Sequence, residues 1–82
     1  MAETITVNYF AGLVDRTGCA REQLELAALT VADLRAAVRA RHGEETGELV
    51  EHCSVLDGDA LLRDGAAPIG AEVDLLPPFA GG

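Results

Sequence analysis

The 82-residue sequence contains no lysine, so its six basic side chains are all arginine, against 14 aspartates and glutamates. The formal net charge is −8. This charge argues against nucleic acid and anionic membranes as main partners, because both are bound through cationic surfaces. Without lysine, the chain also cannot form lysine-linked polymers of itself. A general bias toward arginine over lysine is the favoured explanation of the missing lysines.

Long hydrophobic runs and closely spaced cysteines are missing too. No apolar stretch reaches the roughly 18–20 residues that a membrane-spanning helix needs, and the first residues lack the pattern of a signal peptide. Cys19 and Cys53 lie far apart with no CxxC spacing, which is too sparse for a secreted disulfide scaffold. We therefore expect a cytoplasmic protein with no membrane partner.

The spacing of apolar residues predicts one domain of the α+β class. Alternating or β-branched runs beside turn signals predict strands in five segments: residues 4–10, 23–29, 53–56, 60–62 and 72–76. Residues 30–42 carry apolar side chains at helical spacing, beginning with the N-cap residue Thr30. A hairpin, a helix and further strands indicate a mixed sheet of four to five strands, with one main helix packed on one face.

Two weaker segments and two arginines complete this description. Residues 11–18 contain two glycines and are expected to form a loop. Residues 44–52 are acidic and fit either a short helix or a loop. Within the main helix, Arg35 and Arg39 are expected to face water.

Strand alternation also predicts which side chains lie on the sheet face opposite the helix. If Tyr9 faces the helix, Phe10 faces the other way, and Leu76 follows Leu75 in the same manner. Two large apolar side chains outside a small sheet favour a partner-binding surface. Cover by loops is the alternative.

Residues 77–82, PPFAGG, have unusual properties. The two prolines end the preceding strand and stiffen the exit from it. The pair Gly81-Gly82 can adopt almost any backbone conformation and can enter a narrow channel. Such a tail presents a carboxylate that must be activated before it reacts: attack by sulfur then gives a thiocarboxylate, and attack by lysine an isopeptide. A frayed terminus that ends in glycine by chance is the alternative.

Three segments resemble the small subunit of molybdopterin synthase, a family of MoaD/ThiS-type sulfur carriers with the ubiquitin-like β-grasp fold. They are residues 5–11, ITVNYFA, residues 30–35, TVADLR, and residues 72–82, EVDLLPPFAGG. The resemblance implies a single β-grasp domain over residues 1–76 and a flexible Gly-Gly tail over residues 77–82.

The resemblance further implies that a ubiquitin-activating-type adenylyltransferase adenylates Gly82, which is then converted to a thiocarboxylate. Gly82, preceded by Gly81, would donate sulfur to precursor Z in the large subunit of molybdopterin synthase, within a heterotetramer. The chain would not be an enzyme on its own, and it would hold no bound cofactor or metal. Seven residues are implied in partner binding: Phe10, Leu61, Leu76, Pro77, Pro78, Phe79 and Ala80.

Other functions remain open at this stage. The chain could carry sulfur for another pathway, such as thiazole (thiamine) or cysteine synthesis, or it could be a ubiquitin-like modifier joined to target lysines. A plain interaction domain is a further alternative. Residues 12–16 and 54–71 match the family loosely, whereas Pro77-Pro78 favours the molybdopterin branch.

The histidines and cysteines give only weak signals. Glu48 and His52 could lie on one helical face and hold a metal, but a third firm ligand is missing and a solvated acidic segment is favoured. Cys53 is expected in the core and Cys19 nearer the surface. Nothing beside either residue predicts an activated thiol.

Overall fold

A computed structural model describes residues 2–78. This part of the chain forms, in order, β1 (Glu3–Tyr9), α1 (Gly12–Thr17), β2 (Arg21–Leu26), α2 (Val31–His42), α3 (Glu44–Glu51), β3 (Ser54–Asp57), β4 (Ala60–Leu62) and β5 (Glu72–Leu76). The strands form one sheet in the order β2-β1-β5-β3-β4. β1 and β5 run parallel, and the other neighbours are antiparallel. The predicted α+β class with a mixed sheet is confirmed.

One face of the sheet packs against α2. The alternation of each strand directs every second side chain toward the helix. The buried side chains of the sheet are Ile5, Val7, Tyr9, Leu24, Leu26, Val55, Val73 and Leu75, and those of α2 are Val31, Leu34 and Val38. Burial of each such side chain stabilises the fold by roughly 1.5–3 kcal/mol relative to exposure.

The start of α2 is fixed by two side chains. The Thr30 hydroxyl accepts a hydrogen bond from the Asp33 amide at 3.2 Å, as the N-cap prediction required. The Asp33 carboxylate accepts from the Ala28 amide at 2.8 Å, not from Thr30 as in the usual capping box. The carboxylate therefore holds the turn that precedes the helix.

The loop before β5 completes the cap. The amides of Val31 and Ala32, which have no partner inside the helix, donate to the carbonyls of Ala67 and Gly65 at 3.1 and 2.9 Å. Thr30 also forms an isolated bridge with Pro68. Residues 65–68 are thus held in place by the helix that they cap.

The prediction of a loop over residues 11–18 is wrong, because Gly12–Thr17 is helical. This helix buries Leu13 completely, and Gly18 ends it in the left-handed conformation, where its amide donates to Val14. One buried residue in six gives too little periodicity to show in the sequence. The segment after α2 forms the helix α3, in agreement with the helical alternative. Within residues 2–78, the helices are all too short or too polar to cross a membrane.

The expectation that Arg35 and Arg39 face water is also wrong, because α3 packs against α2 and half-buries both side chains. Arg35 donates to the Cys53 carbonyl at 3.5 Å. Gly47 is buried where the helices meet, and a Cβ there would lie 2.3 Å from Nε of Arg39. Only glycine allows α3 to approach the arginine stem so closely.

We expect Thr30→Ala to lower the free energy of unfolding by about 1 kcal/mol, because the Asp33 amide loses its partner. Urea denaturation followed by circular dichroism measures the change. Thr30→Ser keeps the hydroxyl and should retain most of the stability. Equal losses in both variants would show that the hydroxyl does not act as a cap.

Candidate functional site

The sheet face opposite α2 carries four large apolar side chains, which we call the open-face patch: Phe10, Leu56, Leu61 and Leu76. Phe10 is 43% exposed and Leu61 44%, and the other two are half-buried. Leu56 lies directly opposite Leu61 in the β3–β4 pair. The exposure of Phe10 and the alternation along β5 agree with the predicted placement of Phe10 and Leu76. Their role in binding a partner stays a prediction.

The parallel pairing of β1 and β5 brings this patch to the point where the chain leaves the sheet. Tyr9 pairs with Leu75, so Phe10, which follows β1, and Leu76, the last residue of β5, lie at the same end of neighbouring strands. Pro77 is half-buried and Pro78 exposed. Four predicted tail residues lie outside the described residues: Phe79, Ala80, Gly81 and Gly82. Their roles stay predictions. The division of the chain after residue 76 also stays a prediction.

The chain turns sharply directly after Phe10. Ala11 has φ 54° and ψ −131°, and within residues 2–78 no other non-glycine residue has a positive φ. An L side chain in such a conformation costs roughly 1–3 kcal/mol, so the surrounding structure must hold it. The turn ends β1 at the patch and starts α1, which leaves Phe10 at a fixed position on the rim of the sheet.

A polar cluster on the helix side of the sheet was not predicted. The Tyr9 hydroxyl donates to Oε2 of Glu22 at 2.5 Å, and Nε2 of His42 forms a hydrogen bond with the same oxygen. Nε of Arg41 lies 3.0 Å from Oε1 of Glu22. The Tyr9 and His42 rings meet edge to face, with centroids 6.1 Å apart. A single carboxylate therefore joins β1, β2 and the last turn of α2.

The cluster keeps Glu22 ionised and Tyr9 neutral. Burial is the largest single effect on the pKa of Glu22 and raises it. The hydrogen bonds from Tyr9 and His42 and the charges of His42 and Arg41 together lower this pKa by more, so it is below its ordinary value. Burial, and next the hydrogen bond to Glu22, raise the pKa of Tyr9 above its ordinary value. The hydrogen bonds and the Arg41 contact favour an ionised Glu22, whose carboxylate anchors the end of the helix to the sheet.

The sequence did contain a signal for this cluster. Glu22 shares the parity of Leu24 and Leu26, which face the helix, and a carboxylate on that side needs hydrogen-bond partners. His42, in the last turn of α2, is the nearest candidate on the helix.

The two cysteines are both free thiols, one of them buried in the core. Burial raises the pKa of the Cys53 thiol to about 11, and Sγ donates to the Leu49 carbonyl at 3.3 Å. Cys53 is in the core as expected, and Cys19 is half-buried beside the Thr17 hydroxyl. Within residues 2–78, no three His, Cys, Asp or Glu side chains converge to hold a metal.

The sequence pattern of the ThiS family matches residues 7–82, which is nearly the whole chain. The chain belongs to the ThiS family. Two crystal structures of small archaeal modifier protein 1 from Haloferax volcanii are similar to it. One is 25% identical with a TM-score of 0.73, covering 98% of this chain and 100% of that chain. The other is 28% identical with a TM-score of 0.66, covering 93% and 98%. No curated protein sequence matches the chain.

These similarities confirm the predicted relationship to MoaD/ThiS-type proteins and the ubiquitin-like β-grasp fold. ThiS-type proteins are small carriers that work with activating enzymes and partner enzymes and are not catalysts themselves. The open-face patch and the exit at Pro77 are therefore the candidate site of a carrier. A cytoplasmic location stays a prediction.

The Glu22 cluster predicts how stability depends on pH. Glu22→Gln should lower the free energy of unfolding at pH 7 by about 1–3 kcal/mol, because charged hydrogen bonds are lost. Since the pKa of Glu22 is lower in the folded state than its ordinary 4.5, this contribution is complete above that pH and is lost as the pH falls through the folded-state pKa. Urea titrations from neutral to acidic pH measure the difference between wild type and variant, which should shrink on acidification.

Glu25→Gln is the matched control, because Glu25 is exposed on the same strand. Its free energy of unfolding should stay within about 0.5 kcal/mol of wild type. A difference between wild type and Glu22→Gln that stays constant across the acidic range would contradict the ionised-anchor interpretation.

Proposed function

We propose that this chain is the sulfur-donating small subunit of a molybdopterin synthase, with Gly82 as the residue that carries sulfur. The observation that supports this most is the ThiS-family match, which extends through Gly81 and Gly82. The Pro77-Pro78 exit beside the open-face patch favours the molybdopterin branch of the family. The large subunit would hold the catalytic groups, and the two proteins would form a heterotetramer.

The proposed chemistry starts at the Gly82 carboxylate. A carboxylate oxygen attacks the α-phosphorus of ATP, pyrophosphate leaves, and a mixed anhydride with AMP forms. A hydrosulfide equivalent then attacks the carbonyl carbon, the bond to the AMP oxygen breaks, and AMP leaves with the electron pair. The product is a C-terminal thiocarboxylate, which donates its sulfur to precursor Z in the large subunit. No group of residues 2–78 needs to take part in these steps.

In this proposal the described residues bind and position. Phe10 and Leu61 are less than half exposed, so a partner that covers them gains roughly half or less of the 1.5–3 kcal/mol that full burial of such a side chain is worth. The net charge of −8 favours basic surfaces on the partners and speeds association with them. The activating enzyme and the large subunit would use the same patch in turn, because both must reach the same tail.

A ubiquitin-like modifier is the second candidate. The observation that favours it is the similarity to two structures of a small archaeal modifier protein. This function also begins with adenylated Gly82, but a lysine amine of a target protein then attacks the carbonyl carbon and AMP leaves. The chain has no lysine, so the amine must come from other proteins.

Intact-mass spectrometry tests the proposal. The full chain is incubated with ATP, hydrosulfide and an activating enzyme already shown to act on another carrier. We expect a mass gain equal to replacement of one oxygen atom by sulfur, located in the C-terminal peptide. Deletion of Gly81 and Gly82 should abolish this gain and leave the circular dichroism spectrum unchanged. No gain in the full chain would contradict both the molybdopterin role and any other sulfur-carrier role.

The patch and the pathway need separate measurements. Phe10→Asp should reduce formation of the thiocarboxylate at least about tenfold, because a charge would be buried against the enzyme. Ala27→Asp, at an exposed position after β2, is the matched control and should react as wild type. The purified thiocarboxylate is then given to a molybdopterin synthase large subunit with precursor Z, where molybdopterin should form. Isopeptide adducts in cells without any thiocarboxylate would support the modifier function instead.

A further inference from the structure

The two edges of the sheet differ in length and protection. β2 forms one edge and β4 the other, and β4 has only three residues. β2 has six residues, no proline, and an uninterrupted register with β1. Edge strands of soluble proteins are usually protected by proline, charged side chains, bulges or short length, and of these β2 has only the charges of Arg21, Glu22 and Glu25. Within residues 2–78, no strand pairs with the outer side of β2.

The hydrogen-bond phase shows which residues face outward. The Tyr9 amide donates to the Ala20 carbonyl at 2.8 Å, and the register places these two residues opposite each other. Bonded and non-bonded pairs alternate along an antiparallel ladder. Glu22, Leu24 and Leu26 therefore bond to β1. Three residues direct their amides and carbonyls away from the sheet: Arg21, Gln23 and Glu25.

We propose that a second copy of this chain pairs with this edge, antiparallel and with Gln23 opposite Gln23. In that register all three outward residues oppose outward residues, so each opposed pair can exchange both of its backbone hydrogen bonds. Arg21 of each copy then lies opposite Glu25 of the other. These side chains are on the open face, where opposite charges on adjacent strands attract.

Other two-fold registers fit less well. A shift of two residues in either direction places Gln23 opposite Arg21 or Glu25 and loses one backbone pair. A shift of four residues places Arg21 opposite Arg21, or Glu25 opposite Glu25. The charges of β2 therefore favour one register and oppose non-specific growth of the sheet.

Helix α2 does not cover this edge. A groove of about 370 Å³ lies between β2 and α2, and Ala37, Ala40 and Arg41 line its helix side. A two-fold axis perpendicular to the sheet would place both α2 helices on one side of the ten-stranded sheet. Both open-face patches would lie on the other side, with their chain exits free, so the pairing does not depend on the proposed function.

Two charge effects oppose the pairing weakly. Arg21 already lies 3.7 Å from Glu72, but both side chains are more than half exposed, so this ion pair is worth little. The net charge of −8 on each copy repels the other at long range. Salt screens that repulsion, so we expect association to strengthen between low and physiological ionic strength.

Sedimentation and amide hydrogen exchange of the full chain test the proposal. Between about 10 µM and about 1 mM, the mass should rise from one copy toward two, as for a weak interface. Over the same range the amides of Arg21, Gln23 and Glu25 should exchange more slowly, while those of β4 stay unchanged. A single copy at every concentration, or exchange at these amides that does not slow, would overturn the proposal.

Charge variants test the register. Arg21→Glu places like charges opposite each other twice and should raise the dimer Kd at least about tenfold. The double variant Arg21→Glu/Glu25→Arg restores both ion pairs and should return the Kd to within about threefold of wild type. Arg63→Glu makes the same charge change at an exposed position outside β2 and should not raise the Kd. A dimer that survives Arg21→Glu, or is not restored in the double variant, would overturn the proposed interface.

Discussion

The parallel pairing of β1 with β5 is the contact on which the rest of the structure depends. It joins strands that are far apart in sequence at the centre of the sheet, with Val7 opposite Val73. On the open face, the Asn8 amide bridges the two strands by donating to Glu72 and Asp74 at 2.8 and 2.9 Å. Parallel strands need a long crossover, and the residues between them supply the other strands and the covering helix.

Helix α2 is fixed to this sheet at both ends by polar contacts of opposite kinds. At its N-terminus, amides that have no partner inside the helix donate to the Thr30 hydroxyl and to the carbonyls of Gly65 and Ala67. At its C-terminus, His42 and Arg41 contact the half-buried Glu22 carboxylate, an arrangement that also suits the negative end of the helix dipole. Apolar packing holds the middle. The helix therefore cannot slide along the sheet without breaking one of the two sets.

Much of the fold followed from local patterns, because β1, α2 and β5 have clean periodicity and clear ends. Helix α1 could not be predicted in this way, because it has one buried residue, Leu13, and is ended by Gly18. Arg35 and Arg39 were misplaced because α3 covers a helix face that looks polar in sequence. Contacts between distant segments decide such cases, and periodicity carries no information about them.

The candidate site also contains residues that local patterns place and residues that they do not. Phe10 and Leu76 could be placed by counting along their strands, whereas Leu56 joined the patch only through its register with Leu61 on β4. The Glu22 cluster depends on three elements meeting at one point. The resemblance carried the function further than the geometry did, because the reactive tail residues 79–82 lie outside the described structure.

The position of β5 between β1 and β3 has a mechanical consequence. A pull on the chain beyond Pro78, directed along the strand, would load both ladders of β5 in shear, so their hydrogen bonds would share the force. Peeling from an exposed edge would instead break bonds one at a time. A partner or a protease that pulls on the chain beyond Pro78 would therefore extend that segment before the domain unfolds.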